Sequence, residues 1–321
     1  MKRVTIAALT TSALVLACAV ALPAAAQDYP TRPITLIVPY PPGGGVDVMG
    51  RLVGQKLSLA LGQQVVIENR GGAGGMIGTR DAAKAAPDGY TLVMLLTGIS
   101  LGAPMGYDVN KDFAPIGIVA STPIIVDANP ALPAKSLSDV IALAKKEPGK
   151  LAAGTPPAPT INYFAAKLFN LMTVTDITVV TYKGTGPLTN DLLGNHVSLG
   201  FNTIPASISN VAAGQLRGLV VAASARSAAL PDVPTAAQAG LPGFEAVQYY
   251  GLAAPAGTPR PIVDRLNKEL RAILTSDEMK KRLIADGSDP APSTPEEYAA
   301  NIKREEGKWA ALVQKLGLKI E

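Results

Sequence analysis

One cysteine, one histidine and an aromatic content of 5 % in 321 residues each remove a class of function. Cys18 lies in the N-terminal apolar run, so the chain beyond it has no disulfide, no thiolate nucleophile and no cysteine-based metal site. His196 stands alone, which excludes a multi-histidine metal centre. Scarce aromatics argue against a stacking platform for sugars or single-stranded nucleic acid. The charge is also slight: 29 basic against 25 acidic residues, a net +4. Nucleic-acid binding needs a concentrated basic face and is not expected here. No repeat of 20–50 residues is visible.

What is present begins at the N-terminus. Met1-Lys2-Arg3 precedes an apolar run from Val4 to Leu22, then Pro23-Ala24-Ala25-Ala26 before Gln27. A positive start, an apolar stretch and a small-residue cleavage site are the ordered parts of a secretory signal peptide, here residues 1–26. Two readings compete with cleavage. The run can remain as a membrane anchor, but Pro23 and the alanines end a spanning helix poorly. Val15-Leu16-Ala17-Cys18 loosely resembles a lipoprotein box, which Leu16 fits badly. Cleavage after Ala26 leaves 27 basic and 25 acidic residues and places the mature protein in the periplasm. Such a chain has no assured access to cytoplasmic nucleotide.

The remaining 295 or so residues exceed a comfortable single core, so two lobes are expected. From residue 34 to about 224, β-branched runs alternate with helical stretches: Ile34–Val38 as strand, Val46–Leu61 as helix, Val65–Ile67 as strand, Met76–Ala86 as helix, Tyr90–Leu96 as strand. The alternation resumes at Ser136 and continues to Ala223. Non-alternating apolar strands between helices imply mainly parallel sheets covered on both faces. Beyond Tyr249–Ala254 the chain reads as helix: Pro261–Leu274, Glu278–Asp286 and Pro295–Leu316, with Thr294 as N-cap and Trp309 as core. Long helices with one apolar stripe must lie on a sheet built earlier, so the chain is expected to leave a first lobe, build a second and return.

Ligands of such sheets sit beyond the strand C-termini, beside glycine turns. Pro39-Tyr40-Pro41-Pro42-Gly43-Gly44-Gly45-Val46-Asp47 is one such turn, opening a helix whose N–H groups favour an anion. It has neither the Walker nor the GxGxxG pattern, and no cofactor is implied. As an alternative it is a tight structural turn with Asp47 favouring the helix start. Asn69-Arg70-Gly71-Gly72-Ala73-Gly74-Gly75-Met76 repeats the arrangement. Gly154-Thr155 through Thr160, Tyr182-Lys183-Gly184 and Phe201-Asn202-Thr203 end later strands; Thr160 is also an N-cap candidate. Gly98-Ile99-Ser100-Leu101-Gly102 matches a nucleophile elbow, with aspartates and then His196 downstream in hydrolase order. A secreted serine esterase using Ser100 is therefore the alternative from a different class. A glycine-rich chain matches that motif easily, and His196 reads as part of a helix stop.

Together the motifs carry a resemblance running from about Asp28 to the C-terminus. Val38-Pro39-Tyr40-Pro41-Pro42-Gly43-Gly44-Gly45, Glu68-Asn69-Arg70-Gly71-Gly72-Ala73-Gly74-Gly75, Ala86-Pro87-Asp88-Gly89-Tyr90 and Leu230-Pro231-Asp232-Val233-Pro234-Thr235 resemble the solute-binding proteins of the tripartite tricarboxylate transporter system, the Bug or TctC-like family. The resemblance implies an α/β, two-lobed periplasmic-binding-protein (Venus-flytrap) fold, with two mixed or parallel sheets covered by helices and two crossover strands. Lobe 1 is then 27–126 plus 251–321, and lobe 2 is 127–250. The implied function is capture of a small organic carboxylate by a monomer that delivers it to membrane transporter subunits, with no catalysis.

The ligand-binding residues implied by position are Tyr40, Pro42, Gly43, Gly44, Gly45, Val46 and Asp47 on the first loop. Gly75, Met76, Thr97 and Ser100 flank them. Gly154, Thr155, Thr160, Lys183, Gly184 and Asn202 lie opposite, with Arg70 or Lys183 adding charge. The loop after Thr97 is shorter than is usual in the family. Pro156-Pro157-Ala158-Pro159 replaces small polar residues, and Asn202 stands where an aspartate often does. These departures point to an apolar-bodied or aromatic mono- or dicarboxylate rather than an amino acid.

Overall fold

The computed structural model describes residues 29–96 and 106–318. In chain order these form β1 (Ile34–Val38), α1 (Gly45–Leu61), β2 (Val65–Asn69), α2 (Met76–Ala83), β3 (Thr91–Leu96) and β4 (Phe113–Ala128). Next come α3 (Leu137–Lys146), β5 (Ala152–Thr155), α4 (Ile161–Thr173), β6 (Thr178–Thr181), α5 (Thr185–Leu193), β7 (Leu199–Thr203), α6 (Ile204–Ala212) and β8 (Arg217–Val221). The chain finishes with β9 (Val247–Pro255), α7 (Arg260–Thr275), α8 (Asp277–Ala285), β10 (Asp289–Pro290) and α9 (Pro295–Leu316).

The alternating βα units form as the apolar periodicity predicts. β1 pairs in parallel with β2 and β3, setting Leu36 beside Ile67 and Leu92; β5 pairs in parallel with β6 and β7. Strand order is β2-β1-β3-β9-β4-β7-β5-β6, with β8 and β10 also on β4. The sheets are mixed, because β4 and β9 run antiparallel to their neighbours. β4 is not evident as a strand in the sequence. It contains Pro115 and Pro123, which read as breakers. Its ladder slips at Pro115–Gly117, and Pro123 sits where the strand changes partners, so each proline falls where the ladder is already irregular.

β4 organises the molecule. Its first half, through Pro123, pairs with β9; from Ile124 to Ala128 it pairs with β7 and β8. The chain returns beside it, since Ile124 N–H donates to the Ala246 carbonyl at 2.9 Å before β9 begins. Two extended segments thus connect two lobes, each with its own buried core. Leu36, Val53, Leu92, Leu252 and Leu266 belong to one core, and Val126, Ala153, Phe164, Phe201 and Phe244 to the other.

α9 lies across both lobes. It opens with a capping box in which Thr294 and Glu297 exchange hydrogen bonds. Tyr298 and Ile302 then pack with Val93, Phe113 and Ala253 in the first lobe. Two turns later Trp309 and Leu312 enter the second lobe's core, where the Trp309 ring stacks on Phe164 at 5.8 Å. No described helix is long and apolar enough to cross a membrane.

Candidate functional site

The N-termini of four helices face one cleft between the lobes. From the first lobe, Tyr40, Gly43 to Val46 and Leu96 line it. From the second come Pro156, Thr160, Asn162, Gly184, Thr185, Thr203, Pro205 and Ala206, with Gln248 and Tyr250 at the connecting segment. The open space is about 370 Å³. α1, α4, α5 and α6 all begin among these residues, so their unpaired N–H groups and positive dipole ends are presented together. Thr160 caps α4, its hydroxyl accepting from Tyr163 N–H at 3.3 Å. The residues preceding the other three, Gly44, Gly184 and Thr203, make no side-chain cap. No charged side chain lines the cleft among the described residues. An anion bound here is held by neutral donors whose partial charges sum.

Asp47 builds the first loop from behind. It is 3 % exposed and is not among the residues that line the cleft. One carboxylate oxygen accepts from Gly43 N–H at 2.9 Å and Arg51 Nε at 3.0 Å, the other from Asn69 Nδ2 at 2.9 Å. Burial alone would raise its pKa, but the hydrogen bonds from Arg51, Gly43 and Asn69 outweigh it and hold the group below the usual carboxylate range. Gly43, at φ 87°, adopts the left-handed turn this closure requires. Tyr40 donates from its hydroxyl to the Gly74 carbonyl at 3.0 Å. Gly75, at φ 99°, lets that ring approach: a Cβ there would lie 2.9 Å from it.

The expected ligand-binding residues divide accordingly. Tyr40, Gly43, Gly44, Gly45, Val46, Thr160 and Gly184 are brought together on the cleft. Pro42 is exposed beside the loop, and Gly75 and Met76 support it at the start of α2. Gly154 is a packing residue, since a Cβ there would collide with Leu188. Thr155 is fully buried and donates to the Pro156 carbonyl at 2.8 Å. Lys183 does not line the cleft. Arg70 is held by Glu68 at 2.6 Å and Asp81 at 3.6 Å. Thr97 and Ser100 lie outside the described residues.

Asn202 requires a correction. It is fully buried, and its Nδ2 donates to both oxygens of Asp127 at 3.2 Å. Successive strand residues face opposite sides, and the cleft takes the next residue, Thr203. Asn162, Gln248 and Tyr250 are not expected from the sequence, and Thr185, in the Tyr182-Lys183-Gly184-Thr185-Gly186 strand end, is not among the expected contacts. Thr185 follows a recognised glycine, and Asn162 is a polar residue in the first turn after a recognised N-cap.

The base of the esterase alternative, His196, does not line the cleft, and its nucleophile Ser100 lies outside the described residues. His196 lies beyond the C-terminus of α5, bonded to Asp191 at 3.3 Å, whereas the N-terminus of α5 faces the cleft. Nine helical residues separate those ends by about 14 Å.

A model of the tripartite tricarboxylate transporter family receptor, TctC, matches residues 49–318. The chain belongs to this family. BugT of Bordetella pertussis is 38 % identical over 308 residues, covering 94 % of each chain. The structure of R. palustris Rpa4515 with adipate superposes with a TM-score of 0.82 at 34 % identity, covering 91 % of this chain and 99 % of that one. MatC of Rhodopseudomonas palustris with bound malate gives 0.78 at 32 % identity, covering 89 % and 100 %. The two-lobed periplasmic-binding-protein architecture and the role of solute receptor are thus those of the TctC family.

Proposed function

We propose that this TctC-family receptor captures a small organic carboxylate in the interlobe cleft and delivers it to membrane subunits of a tripartite transporter. The observation that carries the reading is the convergence of four helix N-termini on a cleft with no charged side chain among the described residues. A carboxylate satisfies those N–H groups, and an ammonium group finds no described acidic partner there. An amino acid is therefore disfavoured by the cleft lining and not by Asn202. Related structures holding adipate and malate agree with a carboxylate. Residues 1–26 act as the cleaved export signal, and the mature protein works as a monomer.

Closure supplies the binding signal. The lobes meet at Gly74, where a Cβ would lie 3.6 Å from Pro159 Cδ, and at Gly287, where one would lie 2.7 Å from Ile204. A ligand that touches both cleft walls only when these contacts form favours the closed population. Thermal unfolding of the protein from Gln27 onward, stripped by unfolding and refolding, should respond to dicarboxylates of graded length or to aromatic acids. At a hundredfold excess over Kd the gain is about 2.7 kcal/mol. No shift with any acid would overturn the reading.

Asp47 provides a second test. Asp47→Ala leaves three donors without their acceptor and should cost about 1–3 kcal/mol of stability. Disordering the loop should also weaken carboxylate binding about tenfold, or ~1.4 kcal/mol. Denaturant unfolding and calorimetry measure the two effects; unchanged affinity would show that the loop keeps its shape without Asp47.

A further inference from the structure

Asn162 offers the cleft something a carboxylate does not use. It is the second residue of α4, 4 % exposed, and its Nδ2 donates to the Phe201 carbonyl at 2.8 Å. A carbonyl partner requires the amide nitrogen on that side, which fixes the orientation of the group. Oδ1 therefore points the other way. It makes no bond to the described protein, and it is not among the sealed polar atoms that lack a partner, as Asn202 Oδ1 is. Asn162 lines the cleft, so a ligand bound there is the partner within reach of its side chain.

The helix N-termini are donors, and a carboxylate supplies only acceptors. A fixed amide oxygen among them requires a donor from the ligand. Phe201, which anchors Asn162, lies two residues before Thr203 and the uncapped start of α6. The acceptor thus stands beside an anion-binding helix end. We infer that Asn162 selects carboxylates bearing a hydroxyl close to a carboxyl group, by accepting that hydroxyl's hydrogen bond. The inference rests on the carboxylate reading above and deepens it. An ammonium donor is disfavoured because it would face several positive helix ends with one neutral acceptor.

Calorimetry with matched pairs tests this: malate against succinate, and 2-hydroxyadipate against adipate. The wild-type protein should bind the hydroxylated member of at least one pair about tenfold more tightly. In Asn162→Leu that ratio should fall to about one, whatever the absolute affinities. If the leucine variant does not fold by circular dichroism, Asn162→Ala gives the same readout. A ratio near one in the wild type, or one that survives in the variant, overturns the inference while carboxylate binding stands. Binding of none of the four acids, nor of any other carboxylate, overturns both.

Discussion

Asp127→Asn should stabilise the protein by about 1–3 kcal/mol at pH 8 and have little effect near pH 4. Asp127 is fully buried on β4. The Ser207 hydroxyl and Asn202 Nδ2 bond its carboxylate, and no described cation pairs with it. Burial pushes its pKa up to about 7, and the two hydrogen bonds only partly oppose that. The folded state therefore keeps a proton that the unfolded chain releases near pH 4. Stability is full below that range, is lost as pH rises toward 7, and stays at the lower level above it. A shift from 3.8 to about 7 is worth at most ~4 kcal/mol, and relaxation around the ion reduces it.

An asparagine side chain stays neutral throughout. Asn202 Oδ1 is buried without a partner among the described residues, and a flip of that amide would let it accept from the amide introduced at position 127. Glu306 on α9 is also raised to about 7 by burial, so the wild-type profile contains more than one group. The decisive quantity is the difference between variant and wild type in denaturant unfolding at pH 5 and pH 8. A difference that does not change with pH would show that Asp127 is not the titrating group.

Asp127 also shows where sequence legibility stopped. The βα units were readable because apolar strands and helical stripes have different periods, and glycine turns marked the strand ends. Gly43 to Val46 and Gly184 could be placed on the cleft for that reason. Residues at the end of a strand are not sorted by glycine turns, because a period of two makes neighbours face opposite ways: Asn202 points to Asp127 and Thr203 to the cleft. Asp47 illustrates a different ambiguity, since an acid in the first helical turn can face a ligand or its own loop, and here it does the second. β4 stayed hidden because its prolines carry the right residue type for a turn and the right position for a change of partners. Gln248 and Tyr250 reach the cleft through pairing with β4, a contact between segments about 130 residues apart that local periodicity does not encode.

Trp309→Ala should lower unfolding stability by about 3–5 kcal/mol, the range for truncating a large buried aromatic to alanine. The indole is fully buried, stacks on Phe164 with an interplanar angle of 21°, and lies under Lys308, whose Nζ is 4.6 Å from the ring centroid. Deleting it opens a cavity in the second lobe's core and releases the far half of α9. The near half remains anchored by Tyr298 and Ile302 in the first lobe. Trp309→Phe separates packing from hydrogen bonding. Its Nε1 is buried with no partner among the described residues, so phenylalanine removes an unsatisfied donor while keeping a stacked ring. The phenylalanine variant should therefore lose less than half as much stability as the alanine variant. As the only tryptophan, Trp309 reports wild-type unfolding by fluorescence, and circular dichroism serves all three proteins. Equal losses in the two variants would assign the effect to the indole itself and not to the filled space between α9 and Phe164. Because α9 is anchored in both lobes, its tether resists their separation, so the alanine variant should also need more carboxylate to populate the closed form. An unchanged affinity alongside the lost stability would place α9 outside the closure equilibrium.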